Sequence, residues 1–531
     1  MTMPFLGALL LATMSAGHAP RDTVPLYNDL GSYHRTITTA NPTAQRYFDQ
    51  GLRLVFGFNH AEAIRAFTEA ARLDPNCAMC YWGIAYAYGP HVNAGMDSAS
   101  GVAAYAAAQK AQSLSRRASA AERGYIAAVA KRYVKVPRAN RAGLDSAYAT
   151  AMCEVSGRYA DDLDAAALCA ESMMDLRPWN YWKQPSGEPY PGTAEIVSKL
   201  EGVLQRNPNH PGACHYYIHA VEAVRPDKAV ACAERLAALM PGVGHMVHMP
   251  AHIYIRVGRY NDAVESNVHA VHTDEVFIEG QHPQGVYPIG YYPHNVHFLS
   301  FAATMSGRSA QAVEAARALG TKANLDVARV VPMVQSFVPF LDLTLVTFGR
   351  WDDVLAQPLP PSDLKYASTM AHYARGVAFA ATGKPTEAAT ELDAVKQADA
   401  ASSPADKPVA DIAMHALMGE IAQRGGRLDE AAAHFKEAMA VEDGMLYFEP
   451  PPWYYPIRHS LGAVLVRAGR PAEAEVVYRE DLKRFPENGW ALFGLMQALR
   501  AQGKTAEALA VDARFREAWK DADVTLTASR F

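Results

Sequence analysis

The sequence predicts an all-α protein, a right-handed superhelical solenoid of antiparallel helix pairs. Three observations lead there. Small residues, an aromatic and a proline recur at the offsets of a 34-residue helix-pair unit, near both ends of the chain. No stretch reads as a run of alternating strands. Glycine-containing turns such as Val257-Gly258-Arg259 and Ala468-Gly469-Arg470 stand where the first helix of a pair should stop.

The elements follow in chain order. Residues 5–14 (FLGALLLATM) are apolar but too short to span a bilayer. Gly17-His18-Ala19 after them suits cleavage behind Ala19, so residues 1–19 read as an export signal, although no Lys or Arg precedes the apolar run. A cleaved signal implies a periplasmic or secreted protein; without it the chain is cytoplasmic. No later segment has membrane-spanning length, so the mature chain is expected to be soluble. Residues 20–43 form an N-terminal extension, and the solenoid is expected over 44–531.

Within residues 44–75, Gly51, Ala63, Phe67, Ala70 and Pro75 fall at repeat positions 8, 20, 24, 27 and 32 of the tetratricopeptide spacing. Small residues at 8 and 20 let the two helices approach, the aromatic fills the space between them, and proline ends the second helix. Gly462, Ala474, Tyr478 and Pro486 repeat these offsets, and further units run from Gly376 to Ala388 and Gly419 to Ala431. The repeats over 365–515 are therefore the clearest, while 210–305 form a histidine-rich centre. Three aromatic- and proline-rich interruptions, at 177–193, 280–293 and 445–456, cannot be continuous helix. Such insertions either cover a groove or cap apolar ends.

A net charge of −5 gives no basic footprint for nucleic acid. The six cysteines fall in three local pairs, Cys77/Cys80, Cys153/Cys169 and Cys214/Cys232, which fit an oxidising compartment without proving it. Cys77-Ala-Met-Cys80 has no second CxxC, so a structural disulfide or packed thiols outweigh a redox or metal motif.

Of 19 histidines, eleven lie between His210 and His297. Seven of them, with Glu222, sit on three expected first helices: His215, His219 and Glu222; His245, His248 and His252; His294 and His297. At 100° per residue His245, His248 and His252 fall within about 60° of one face. The repeat register puts these eight residues at groove-lining positions 2, 5, 9 and 12, on helices roughly 10 Å apart. That register requires a one-residue deletion before Ala229 for the first set. Met246 and Met249 fall at packing positions. His269 and His272 fall on a second helix outside the groove, and His282 sits in an insertion within reach of it. Tyr216, Tyr254, Tyr291 and Tyr292 are candidate wall residues.

Crowded imidazoles disfavour one another's protonation, and neutral imidazole is a common transition-metal ligand. The seven histidines are therefore expected to hold zinc, copper, iron or nickel, in one centre or two. Glu222 would be a ligand or general base, and the aromatic insertions a rim for a small molecule or peptide. A metal-dependent oxidoreductase or hydrolase is open on this reading, but without H-E-x-x-H a zincin protease is not indicated. Metal storage is a further possibility. The competing expectation is a metal-free scaffold that binds a peptide, small acid or partner protein in the groove.

Several stretches carry a family resemblance: CAMCYWGIAYAYGPHVNAGM (77–96), HYYIHAVEA (215–223), GHMVHMPAHIYIRVGRY (244–260), YYPHNVHFL (291–299), HYARGVAFAATG (372–383) and EPPPWYYPIRHSLGAVL (449–465). The chain resembles a family of bacterial tetratricopeptide-repeat proteins from about residue 44 onward. The resemblance implies the repeat fold and supplies no established reaction. His91 departs from it, standing in GPHVNA where the family tends to read GPNIN.

Overall fold

The computed structural model describes residues 24–283 and 285–531, so the expected export signal lies outside the described residues. These residues form an all-α repeat array in which consecutive helices pack as pairs. Single bridges at His91–Ala94 and Trp182–Pro189 are the β features among the described residues. The chain divides into two compact units. The first runs to Ile253 and includes His269–Tyr292; the second comprises Tyr254–Val268 and Pro293–Phe531.

In the first unit, Asn41 caps the helix Pro42–Phe56 and Asn59 caps the helix His60–Leu73, each side chain accepting from backbone N–H groups of the first turn. Phe67, fully buried, lies between this pair and the next. A Cβ added at Gly51 or Gly83 would stand 2.6 or 2.5 Å from its ring. Glycine is thus what lets the helices close on the aromatic, whose burial is worth roughly 2–3 kcal/mol. The expected roles of positions 8 and 24 are realised here. They recur in the second unit, where Phe435 packs on Gly419 and Tyr478 packs between Gly462 and Gly494.

The described part of the N-terminal extension, residues 24–41, lies along the first unit without becoming a helix. The Arg35 guanidinium donates to both Asp162 oxygens at 2.8 Å and to Asp164 at 2.7 Å. Thr38 N–H donates to Glu122 at 2.6 Å. These bonds tie residues far apart in sequence, which fixes the segment across several helix starts.

Cys77–Cys80 and Cys153–Cys169 are disulfides, whereas Cys214 and Cys232 are buried free thiols. The interruptions at 177–193 and 445–456 are inward-packing aromatic plugs. Tyr181 and Trp182 are buried in the first unit, with Trp182 donating to the Ala220 carbonyl at 2.7 Å. Trp453, Tyr454 and Tyr455 are buried in the second. No helix among the described residues is long and apolar enough to cross a membrane.

Candidate metal centre

Three short helices of the first unit carry the candidate donors. Pro211 and the His210 side chain start the helix Pro211–Val221, which bears His215 and His219 one turn apart and ends at Glu222. The second expected helix is split by Pro250 into Gly244–His248 and Pro250–Arg256. Met249 keeps right-handed helical angles (φ −52°, ψ −32°), so His245, His248 and His252 still share one face. Gly244 is required at the start because a Cβ there would clash with the Asp274 carboxylate, which accepts from Tyr287 at 2.6 Å.

The side chains join in one chain of contacts. His215 Nδ1–H donates to the Phe56 carbonyl at 2.6 Å. His215 Nε2 faces His219 Nε2 at 3.1 Å. His219 Nδ1–H donates to Glu222 Oε1 at 3.1 Å, and His252 Nδ1–H donates to Glu222 Oε2 at 2.6 Å. His252 Nε2 then faces His248 Nε2 at 2.9 Å. His245 adds a third imidazole, its ring 4.9 Å from that of His215. One nitrogen from each of His215, His219 and His245 lies within 4.8 Å of the other two. All five histidines and Glu222 are 3% exposed or less.

Tautomers follow from the partners, since a carbonyl and an ionised carboxylate only accept. Burial alone would raise the Glu222 carboxyl, but His252 and His219 hold it at about 2. Nδ1 of both His215 and His219 therefore carries the proton, and both Nε2 atoms present lone pairs to each other. Burial, reinforced by His219, pushes the His215 pKa well below its ordinary value; burial also lowers that of His219.

Aromatic groups enclose the cluster. Phe58, held at φ 55°, places its ring 4.5 Å from His215, 6.0 Å from His219 and 5.6 Å from His245. Trp179, from the 177–193 interruption, meets His219 edge-on at 4.9 Å. Tyr291, from the 280–293 interruption, lies 4.7 Å from His245. Those two insertions thus pack on the cluster. Tyr216 and Tyr292 are buried in the same unit, with Tyr292 donating to Glu275 at 2.7 Å.

Within the first unit the structure brings together His215, His219, Glu222, His245, His248 and His252. His294 and His297 fall in the second unit. There His294 packs on Phe298 at 5.5 Å, and His297 meets Phe340 edge-on at 4.2 Å, a setting whose desolvation lowers its pKa to about 3. Met246 and Met249 are fully buried, as packing residues should be, and His269, His272 and His282 are exposed. The expected open groove lining is different in fact: the donors are enclosed, because Phe58 from a turn, Trp179 from an interruption and Tyr291 from the π-helical turn Tyr287–Tyr291 come in at places that the helix register does not describe. Sequence reasoning also passed over His60, and gave His91 no role beyond its departure from the family pattern; their rings lie 4.2 Å apart, with Phe58 between His91 and the cluster. Both stand more than 100 residues from the clustered histidines.

Residues 456–480 and 489–511 match the tetratricopeptide repeat model. In sequence, no curated protein matches the chain. Among solved structures, the chain is similar to the human IFIT1 dimer with PPP-AAAA, at 13% identity over 88% of this chain and 89% of that one, TM-score 0.32. It is likewise similar to the human IFIT1 dimer with m7Gppp-AAAA, at 13% identity over 91% of each chain, TM-score 0.33. At that distance neither structure bears on what this chain binds, while the repeat match agrees with the helix pairs of the second unit.

Proposed function

We propose that the first unit is a transition-metal-binding unit in which His215, His219 and His245 ligate one ion through imidazole nitrogen. The observation that carries this reading is the 3.1 Å contact between the Nε2 atoms of His215 and His219, both protonated on the opposite nitrogen. Two facing lone pairs repel, and a cation between them turns that repulsion into ligation. Donors 2.0–2.1 Å from one ion and 90–109° apart stand about 2.8–3.4 Å from each other, which brackets the observed spacing. The Nδ1 partners support the same assignment. Metal-bound histidines characteristically give their other N–H to a carboxylate or a backbone carbonyl, as His219 and His215 do. His248 and His252, 2.9 Å apart, are a second pair of donors, with His252 tied to the same Glu222.

On this reading Glu222 orients imidazoles and is neither ligand nor general base, since each of its oxygens is taken by an Nδ1–H. The enclosure of all five rings favours a resident or stored ion over hydrolase or oxidoreductase turnover, which needs an open coordination position. Soft ligands are absent from the set, so zinc, copper and iron all suit it. The repeats matched at 456–480 and 489–511 support a partner-binding role for the second unit alongside it.

Competition against a chromophoric chelator at pH 7.5, with zinc and with copper, tests the assignment. The chain should take up at least one ion per molecule, and His215→Ala with His219→Ala should weaken binding at least 100-fold. Equal binding by the chain and the double variant would contradict it.

A further inference from the structure

A second site is written in the contacts of residues 523–531. Asp523 fixes the root of this segment by accepting from the Ser309 and Ala310 N–H groups at 2.6 and 2.9 Å, at the start of the helix Ser309–Lys322. Beyond it the chain is not helical and runs across successive helices of the second unit. The Thr527 carbonyl accepts from Gln497 at 2.9 Å. Ser529, fully buried, donates to the His459 carbonyl at 2.8 Å and meets the Tyr478 hydroxyl at 2.6 Å. The Arg530 guanidinium lies 3.9 Å over the Tyr455 ring and donates to the Tyr454 hydroxyl at 3.0 Å. Phe531 meets Trp490 edge-on at 5.8 Å, and its backbone oxygen accepts from Arg424 at 2.9 Å.

This pattern is that of a bound peptide. Thr527, Ser529, Arg530 and Phe531 are held by groups from several helices and from the 445–456 insertion, and the segment adds no helix of its own. The most specific pocket is the one around Arg530. Two tyrosines supply a ring face and a hydroxyl, and the buried Glu420 supplies the opposite charge. A planar guanidinium suits that setting better than an ammonium does. Ser529 adds a hydroxyl contact and Phe531 an aromatic one, so the surface reads a Ser-Arg-aromatic sequence.

We propose that this face of the second unit is a docking site for an extended peptide of the pattern Ser-Arg-aromatic. Residues 524–531 occupy it in the chain itself, and a partner segment of the same pattern takes it when they leave. Tethering gives the internal segment an effective concentration in the millimolar range, so the site stays closed to weak competitors. The inference is independent of the metal centre.

The test uses a chain ending at Asp523 and a fluorescently labelled synthetic peptide, TLTASRF, read by anisotropy, with the melting transition monitored by circular dichroism. The shortened chain should bind the peptide, the peptide with alanine for arginine should bind at least tenfold more weakly, and the full chain should bind neither. Because shortening can unfold the second unit, the full chain carrying Arg530→Ala is measured beside it. Its weakened internal segment should let the peptide in at higher concentration. Absence of binding to a folded shortened chain, equal binding of the alanine peptide, or, where shortening unfolds the unit, absence of binding to the Arg530→Ala chain overturns the proposal.

Discussion

At the scale of single residues, the proposed metal centre depends on which nitrogen of each imidazole holds its proton. Glu222 sets that choice for His219 and His252 together. Glu222→Gln keeps the shape but replaces one carboxylate oxygen by an amide donor, which an Nδ1–H cannot use. Metal affinity by chelator competition is expected to fall 10–100-fold while the far-ultraviolet dichroism stays unchanged. The five first-unit histidines and Glu222 were legible from sequence because three- and four-residue spacing puts them on common helix faces. Phe58, His60 and His91 were not, since their place beside the cluster is set by packing between distant helices. A second residue-scale expectation concerns Asp342, buried in the helix Phe340–Thr347. Burial raises its carboxyl to about 7, against a smaller lowering by Arg375. The folded chain therefore holds a proton that the unfolded chain releases near pH 4. The associated stability is full below that pH and lost as pH rises through about 7. Asp342→Asn should raise the melting temperature at pH 8, by an effect on the order of 2–4 kcal/mol, and leave it nearly unchanged at pH 4.

At the scale of elements, the repeat spacing predicted real packing because each marked position has one steric task. Gly462 illustrates it: an added Cβ would enter the Tyr478 ring. Gly462→Ala is expected to cost about 1–3 kcal/mol, read as a lower denaturation midpoint with an unchanged slope. The same reasoning reached its limit at Pro250, which splits the expected second histidine helix, and at Glu222, which ends its helix instead of continuing it. It also placed the insertions without showing their direction. Periodicity says nothing about where Trp179 or Tyr291 will point, yet these side chains turn an expected open lining into an enclosed cluster.

At the scale of the whole molecule, the chain joins two units with different characters. The first gathers five buried imidazoles around a shared carboxylate. The second is built from regular repeats, 456–480 and 489–511 among them, and holds its own segment 523–531 as a peptide. The N-terminal extension is bound along the first unit in a comparable way, by Arg35 and Thr38. The fold class was legible throughout, since helix-pair spacing is local. A candidate site was legible only where several residues of one chemistry share a local period. The central claim is that the facing Nε2 atoms of His215 and His219 hold an ion, and elemental analysis tests it most directly. Protein purified without added metal or chelator should contain at least one transition-metal ion per chain, and the His215→Ala, His219→Ala chain should lose it while remaining folded. Metal-free protein whose melting temperature is unmoved by zinc, copper or iron would contradict the account.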